Sequence, residues 1–411
     1  MDREISPPPS KRRKLECSLV EAQTTIQDGP ALISTPGTNY IPPSPSPNPD
    51  TLRIFAWNIN GITPFLHSSK PITSYFSPTK KRSSSFRSND AATSPPPASL
   101  RAFLHRHNWP HALLLQEVKV AHDDTKTQRA VQAAINAKLS ADDKGPPYKA
   151  FFSLPTDKHN ARGLGGKGRV YGVCSILRAD FCEDEVRRVR DVEWDREGRV
   201  SVVELKSKVA VWNIYAVNGT ENAYRDPMTG AVEGTRHDRK LAFHGLLVGE
   251  CRRMEAQGWR HVLLGDFNVA PRRKDGWPGL RTWPPQHVIN RADFNARFFG
   301  VGMGVEEGKE SLGAVDVWRK IKGTEQRYTY HPRGVKWGAS CDRVDLVVAS
   351  GGLVEERRMV DVGILDSEKE RGPSDHVPIW VELKVERKRA EGVSGGDERE
   401  EIAEDAYEIK K

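Results

Sequence analysis

The chain is short of the features that mark several protein classes. Its five cysteines (Cys17, Cys174, Cys182, Cys251 and Cys341) are odd in number and contain no Cys-x-x-Cys. They supply neither a zinc-finger spacing nor a disulfide framework, so a reducing compartment is expected. No apolar run approaches the roughly 20 residues that span a bilayer, and the N-terminus carries no apolar leader, so no membrane partner is expected. The hydrophobic fraction is 37% of 411 residues, low for a chain folded throughout. No repeat recurs at a fixed period. One core domain with polar appendages is therefore expected, rather than two cores.

Proline and basic charge are what the chain has in quantity. It contains 28 prolines, and its formal net charge is +8 with a pI near 9.1. That charge suits a polyanionic partner, although solvated tails would carry the same sign. Residues 1–50 are rich in Pro, Ser, Thr and Asn and read as a disordered arm, as do 386–411 as a charged tail. Within the arm, Lys11-Arg12-Arg13-Lys14 resembles a nuclear-import signal, and nuclear localisation is expected. A second low-complexity stretch, about 63–97, reads as a disordered insertion in a domain of residues 51–385.

Elements inside that domain follow from apolar patterning. Leu52 to Trp57, Leu113 to Leu115, Val170 to Ile176, Val200 to Leu205, Val209 to Tyr215, Val262 to Leu264, Arg327 to Tyr330, Val344 to Ala349 and Val377 to Leu383 read as strands. Leu100, Phe103, Leu104 and His107 share one helical face behind a Ser99 cap, and Asp238 through Met254 reads as a second helix. Many short strands with few helices predict two packed sheets flanked by helices.

Polar residues recur where these strands end. Gly265-Asp266-Phe267-Asn268 follows one strand and Ser374-Asp375-His376 precedes the last. Asn58, Glu117, Tyr215 and Asp345 also sit at or beside predicted strand ends. An acid to activate water, donors for phosphate oxygens and oxygen ligands for a hard cation are the parts that hydrolyse a phosphodiester. Glu117 suits the cation, with Asp375 as a second carboxylate. Asp345 suits the His376 imidazole, Asp266 the attacking water, and Asn268, Asn58 and Tyr215 the phosphate. Each residue alone has a blander reading: Glu117 as a solvated loop acid, Asp345 as a surface partner of Arg343, Tyr215 as a core aromatic. Their joint position at strand ends favours a site.

Six segments make the pattern more specific: 55–61 (FAWNING), 115–119 (LQEVK), 213–219 (NIYAVNG), 265–270 (GDFNVA), 343–345 (RVD) and 373–378 (PSDHVP). In these, and in their order, the chain resembles the endonuclease/exonuclease/phosphatase superfamily, and within it the exonuclease III type of AP endonuclease. The resemblance implies a DNase I-like, four-layer α/β sandwich of two packed mixed β-sheets with helices outside. It implies Mg²⁺-dependent cleavage of DNA 5′ to abasic sites, with Mn²⁺ as an alternative ion, and 3′–5′ exonuclease or 3′-end repair activity. The implied partner is double-stranded DNA with abasic sites or blocked 3′ ends, bound by a monomer.

Carried over by position, Glu117 is the principal metal ligand, with Asn58, Asp375, Asp266, Asn268 and His376 completing the metal surroundings. Asp266 is the water-activating or leaving-group acid, Asn268 and Tyr215 position phosphate and water, and His376 pairs with Asp345 at the scissile phosphate. Asn218 lies near that phosphate, Lys240 matches a basic residue of its helix, and Tyr330 and Val344 border the abasic sugar. Asn60 stands where human-type enzymes carry aspartate, and Asp342 where they carry tryptophan. The same site chemistry also suits protein-linked DNA ends, RNA tails or inositol phosphates as substrates. A catalytically silent DNA-binding relative is the non-enzymatic alternative.

Overall fold

Alternate side chains of the first strand, Thr51–Asn58, enter two different cores. Leu52, Ile54 and Ala56 join one, while Phe55 and Trp57 point the opposite way into another, as the two-residue period of a strand requires. The strand Val209–Tyr215 behaves likewise: Val209 and Val211 meet the first core, and Ala210, Trp212 and Ile214 enter a third. The shared core is thus sandwiched between two sheets, and each outer core lies beneath helices. This is a four-layer α/β sandwich of the DNase I-like kind.

The computed structural model describes residues 50–66, 98–161, 171–301 and 311–385. The first sheet runs, in spatial order, Met359–Ile364, Ile379–Lys384, Thr51–Asn58, Ala112–Gln116, Val173–Arg178, Tyr148–Ser153. The second runs Val315–Asp316, Asp345–Ala349, Arg260–Asp266, Val209–Tyr215, Val200–Leu205, Val186–Asp191. Both are mixed: Thr51–Asn58 is parallel to Ala112–Gln116 but antiparallel to the final strand, and Arg260–Asp266 is parallel to Val209–Tyr215 but antiparallel to Asp345–Ala349. Among the described residues no helix is long and apolar enough to cross a membrane.

The helices start where local chemistry caps them. Ser99 accepts from the Ala102 amide at 3.2 Å and opens Leu100–Arg106. The long helix begins at Arg236, ahead of the expected Asp238, because Thr235 and Asp238 form a capping box. It lays Phe243, Leu247 and Cys251 against Phe294 and Phe298 of the helix Gln286–Phe299.

Two expectations change. Residues 327–330 form no strand; Tyr330 makes isolated bridges to Asp342 and to His376. The segment's hydrogen bonds are divided between the sheets, with Tyr330 N donating to Asp342 O, His331 N to Asp375 O and Val377 N to Thr329 O, so it stitches the rims together. The expected insertion also starts later than residue 63. Thr63–Phe65 is a 3₁₀ turn, and its buried Phe65 packs edge-on against Trp57 at 5.2 Å. The rest of that stretch, the basic run and the tail lie outside the described residues.

Gly265 shows how tightly the second sheet is set beneath its rim. Its φ is +132°, and a Cβ there would stand 2.1 Å from the Ile214 carbonyl oxygen and 3.1 Å from the Gln116 side chain. Gly265→Ala is therefore expected to lower the unfolding free energy by about 2–4 kcal/mol. Urea denaturation of the two proteins checks this, and an unchanged midpoint contradicts it.

Candidate active site

Strand register gathers the site before any side chain is considered. Asp266 is paired with Tyr215 on one side and with Asp345 on the other, so three polar residues stand abreast on the second sheet's rim. On the first sheet Asn58 is in register with Gln116, and Glu117 is the next residue. Asp375 and His376 enter from the loop ahead of the final strand. Asn58, Glu117, Tyr215, Asn218, Lys240, Asp266, Asn268, Tyr330, Val344, Asp375 and His376 all line one pocket. Asp345 stands behind His376.

Serine and tryptophan hold that loop in place. Ser374 Oγ donates to the Asn58 carbonyl at 2.5 Å and accepts from the His376 amide at 3.0 Å. Trp57 Nε1 donates to the His376 carbonyl at 2.9 Å. Beneath the pocket, Gln116 Nε2 donates to Asn213 Oδ1 at 2.8 Å, and Asn213 Nδ2 reaches the Leu115 and Cys174 carbonyls. This buried amide pair satisfies polar groups between the sheets, where water is excluded. Above it the backbone is contorted: Asn60, Glu117, Lys119 and Asn268 all have φ between 51° and 56°, the left-handed region that costs a non-glycine residue about 1–3 kcal/mol.

The His376 Nδ1–Asp345 Oδ2 distance is 2.7 Å, fully buried. Burial alone would push the imidazole down, but the charge and hydrogen bond of Asp345 outweigh it and carry the ring up to about 10. His376 is therefore a cation and a donor. Asp266 is raised, to about 7, chiefly by burial, with His376 opposing and Asp345 adding to the rise. Asn58 Nδ2 donates to Asp266 Oδ2 at 3.0 Å and lies 3.3 Å from Glu117 Oε2, linking the carboxylates of the two sheets.

Lys240 departs from a plain substrate contact. Its ammonium is only 2% exposed and donates to the Asn268 carbonyl at 2.8 Å. Burial lowers it to about 7. It thus anchors the turn that carries Asn268 as well as lining the pocket. Arg343, the expected surface partner of Asp345, is buried and pairs instead with Asp275 and Asp316. Asp342, at the pocket wall, acts with its charge on Arg291, where burial lowers the guanidinium and Asp342 opposes that effect.

Several contacts of the site escaped the sequence reading. Asn60 Nδ2 donates to Asp375 Oδ1 at 3.0 Å while its Oδ1 accepts from Lys119, and Lys119 also pairs with Glu117 at 3.0 Å. The Arg199 guanidinium lies 4.9 Å from the Tyr215 ring centre, and Tyr215 itself is raised well above its ordinary value by burial, with the charge of Glu117 adding to it. Arg281, His287, Asn290 and Arg291 complete the pocket. Their one advance signal was the density of basic and aromatic residues directly after Gly-Asp-Phe-Asn.

Glu117 and Asp375 present carboxylate oxygens to the pocket, hard donors that fit Mg²⁺ or Mn²⁺ better than zinc, while Asn58 turns its Nδ2 to Glu117 and Asp266 and its Oδ1 to the Asn60 amide. The convergence of Glu117, Asp266 and Asp375 also calls for added positive charge. Asp266, Asp345 and His376 lie close enough together to form a metal-sized cluster. Within that cluster His376 Nδ1 is hydrogen-bonded to Asp345 Oδ2 at 2.7 Å.

Residues 55–376 match the Endonuclease/Exonuclease/phosphatase family model. The chain is 25% identical over 305 residues to exodeoxyribonuclease III of Haemophilus influenzae, covering 70% of this chain and 95% of that protein. The AP endonuclease LMAP from Leishmania major superimposes with a TM-score of 0.53 at 16% identity, over 81% of this chain and 88% of that one. An AP endonuclease from Archaeoglobus fulgidus gives a TM-score of 0.48 at 23% identity, over 81% of this chain and all of its own (100%).

The imidazole makes the electrostatic argument measurable. Asp345→Asn removes the largest of the negative charges that oppose burial, so the His376 ring is expected to fall well below about 10. Titration of the ring protons by NMR checks this. A ring still charged at pH 9 would contradict it.

Proposed function

The chain belongs to the endonuclease/exonuclease/phosphatase family, and on that premise we propose that it is a Mg²⁺-dependent DNA phosphodiesterase that cuts 5′ to abasic sites and repairs blocked 3′ ends. The observation that carries this reading is Asp266 and charged His376 on one wall, facing Glu117, Asn58 and Asp375 on the other. The name of its Haemophilus relative supports DNA as substrate and activity at 3′ ends.

Each residue then has a step. Asp266 takes a proton from the attacking water, and its raised value suits a base working near neutrality. His376, held charged by Asp345, donates to a non-bridging phosphate oxygen and offsets the charge that grows there in the transition state. Tyr215, Asn218 and Asn268 orient the phosphate and the water. Lys240 keeps the Asn268 turn in place. Glu117 and Asp375 would hold Mg²⁺, which would supply Lewis-acid charge to the same phosphate, and Asn58 holds the two carboxylates Glu117 and Asp266 in place. Tyr330, whose ring centre is 5.0 Å from that of His376, and Val344 border the position of a sugar that carries no base. The Lys11–Lys14 run supports delivery to the nucleus.

Cleavage of an abasic duplex, an intact duplex, a 3′-phosphate end and single-stranded RNA, with Mg²⁺ and with chelator, tests the reading. The abasic duplex is expected to be cut about 100-fold faster than the intact one, and chelator to abolish cutting. Asp266→Asn and His376→Ala are each expected to slow it about 10²–10⁴-fold with the fold intact. Equal cutting of both duplexes removes the repair reading, and preference for RNA replaces the substrate.

The pH profile follows from the same two groups. Asp266 must be ionised and His376 charged. The rate is expected to rise with pH to a limb no higher than about 7 and to hold until the imidazole loses its proton near 10. A rate that falls between pH 7 and 9 would contradict the role of His376.

A further inference from the structure

Between Gly-Asp-Phe-Asn and the helix Gln286–Phe299 lies a segment, residues 271–285, whose side chains the mechanism leaves unused. Trp283 within it is 79% exposed and Trp277 is 41% exposed. The fold has no difficulty burying indoles elsewhere: Trp57, Trp212, Trp259, Trp318 and Trp380 are each 4% exposed or less. A single exposed aromatic is common enough to assign nothing by itself. Two further observations say what it meets.

The first is charge. Arg272, Arg273, Lys274 and Arg281 are exposed. The segment's one acid, Asp275, is buried and paired with Arg319 and Arg343. The segment therefore shows solvent a single sign, complementary to a phosphate backbone. The second is continuity. Arg281 and His287 both line the active-site pocket, and Trp283 falls between them in the chain. Pro284 and Pro285 follow it directly and restrict its backbone.

Cations that track a backbone, interleaved with an aromatic face, are the means by which proteins hold single strands. A paired duplex keeps its bases stacked on each other and offers the indole no face. An unpaired base does. We infer that residues 271–285 form a binding site for unpaired nucleotides of DNA next to the reacting phosphodiester. Trp283 stacks on a base, and Arg281 with Arg272, Arg273 and Lys274 neutralises the adjoining phosphates. The inference rests on the reading of the site as a DNA phosphodiesterase and narrows its substrate to DNA with unpaired bases beside the cut, as at a frayed or overhanging 3′ end.

Binding of a labelled oligothymidylate and of a blunt duplex of equal length, measured by fluorescence anisotropy on the full chain in chelator, tests it. Trp283→Ala is expected to weaken oligothymidylate binding about 5- to 100-fold and duplex binding less than about twofold. Trp283→Phe is expected to keep most of the affinity, and an unchanged unfolding midpoint to show that the variant folds. Equal weakening of both ligands, or of neither, overturns the inference. Cleavage of an abasic duplex by the unaltered protein separates the two claims. If it cuts but Trp283→Ala binds oligothymidylate normally, this inference alone fails. If it binds through Trp283 but cuts no DNA, the binding site stands and the catalytic reading falls.

Discussion

One charged hydrogen bond, His376 to Asp345, fastens the rim of one sheet to the rim of the other. His376 arrives from the loop before the first sheet's final strand, and Asp345 begins a strand of the second. Both are buried. Removing one partner of such a pair costs roughly 3–5 kcal/mol, because the remaining charge is stranded without solvent. The segment carrying Thr329 reinforces the joint, since its hydroxyl accepts from the Val344 and Asp345 amides at 3.0 Å.

That joint carries an unfavourable load. Four carboxylates line the pocket, and four non-glycine residues around it have positive φ. Lys119 beside Glu117 and His376 beside Asp266 offset only part of this. The stabilising free energy comes from the cores on either side of each sheet, where Phe55, Trp57, Trp212 and Phe243 are almost fully buried. Residues above the Gln116–Asn213 amide pair can therefore be held in costly conformations by structure that does not share their chemistry. Strain of this kind persists where surrounding structure determines it, which is why it gathers at functional sites.

Residues at strand exits were readable in the sequence because a strand announces itself by pattern and its last polar residue is then placed. Asp266, Asn58 and Glu117 belong to this group; Asp345, at the start of its strand, and the cap at Ser99 were placed by the same patterning. Contacts made by long-range pairing left no such trace. Arg343 was read against its neighbour Asp345, but its partners are Asp275 and Asp316, set far away in sequence. Residues 327–330 have the composition of a strand, yet their hydrogen bonds go to two sheets at once. The pocket wall from Arg281 to Arg291 was missed because no periodicity governs a loop. The start of the long helix was misplaced by two residues for the opposite reason: a side-chain cap overrode the apolar pattern.

Asn60 shows how a one-atom change follows from its neighbours. Its side chain must donate to Asp375 and accept from Lys119. An amide does both, whereas an ionised carboxylate only accepts. An aspartate here would face Asp375 with like charge and add another acid to a pocket already bordered by Glu117 and Asp266. Lys119 would have to neutralise it while still serving Glu117, at 3.0 Å. With asparagine the lysine's charge stays on Glu117, and Asp375 keeps a neutral donor that leaves its own charge undiminished. The amide thus divides the site into one acid with a cation held directly against it, Glu117, and one, Asp375, whose charge acts instead on His376 and Arg371.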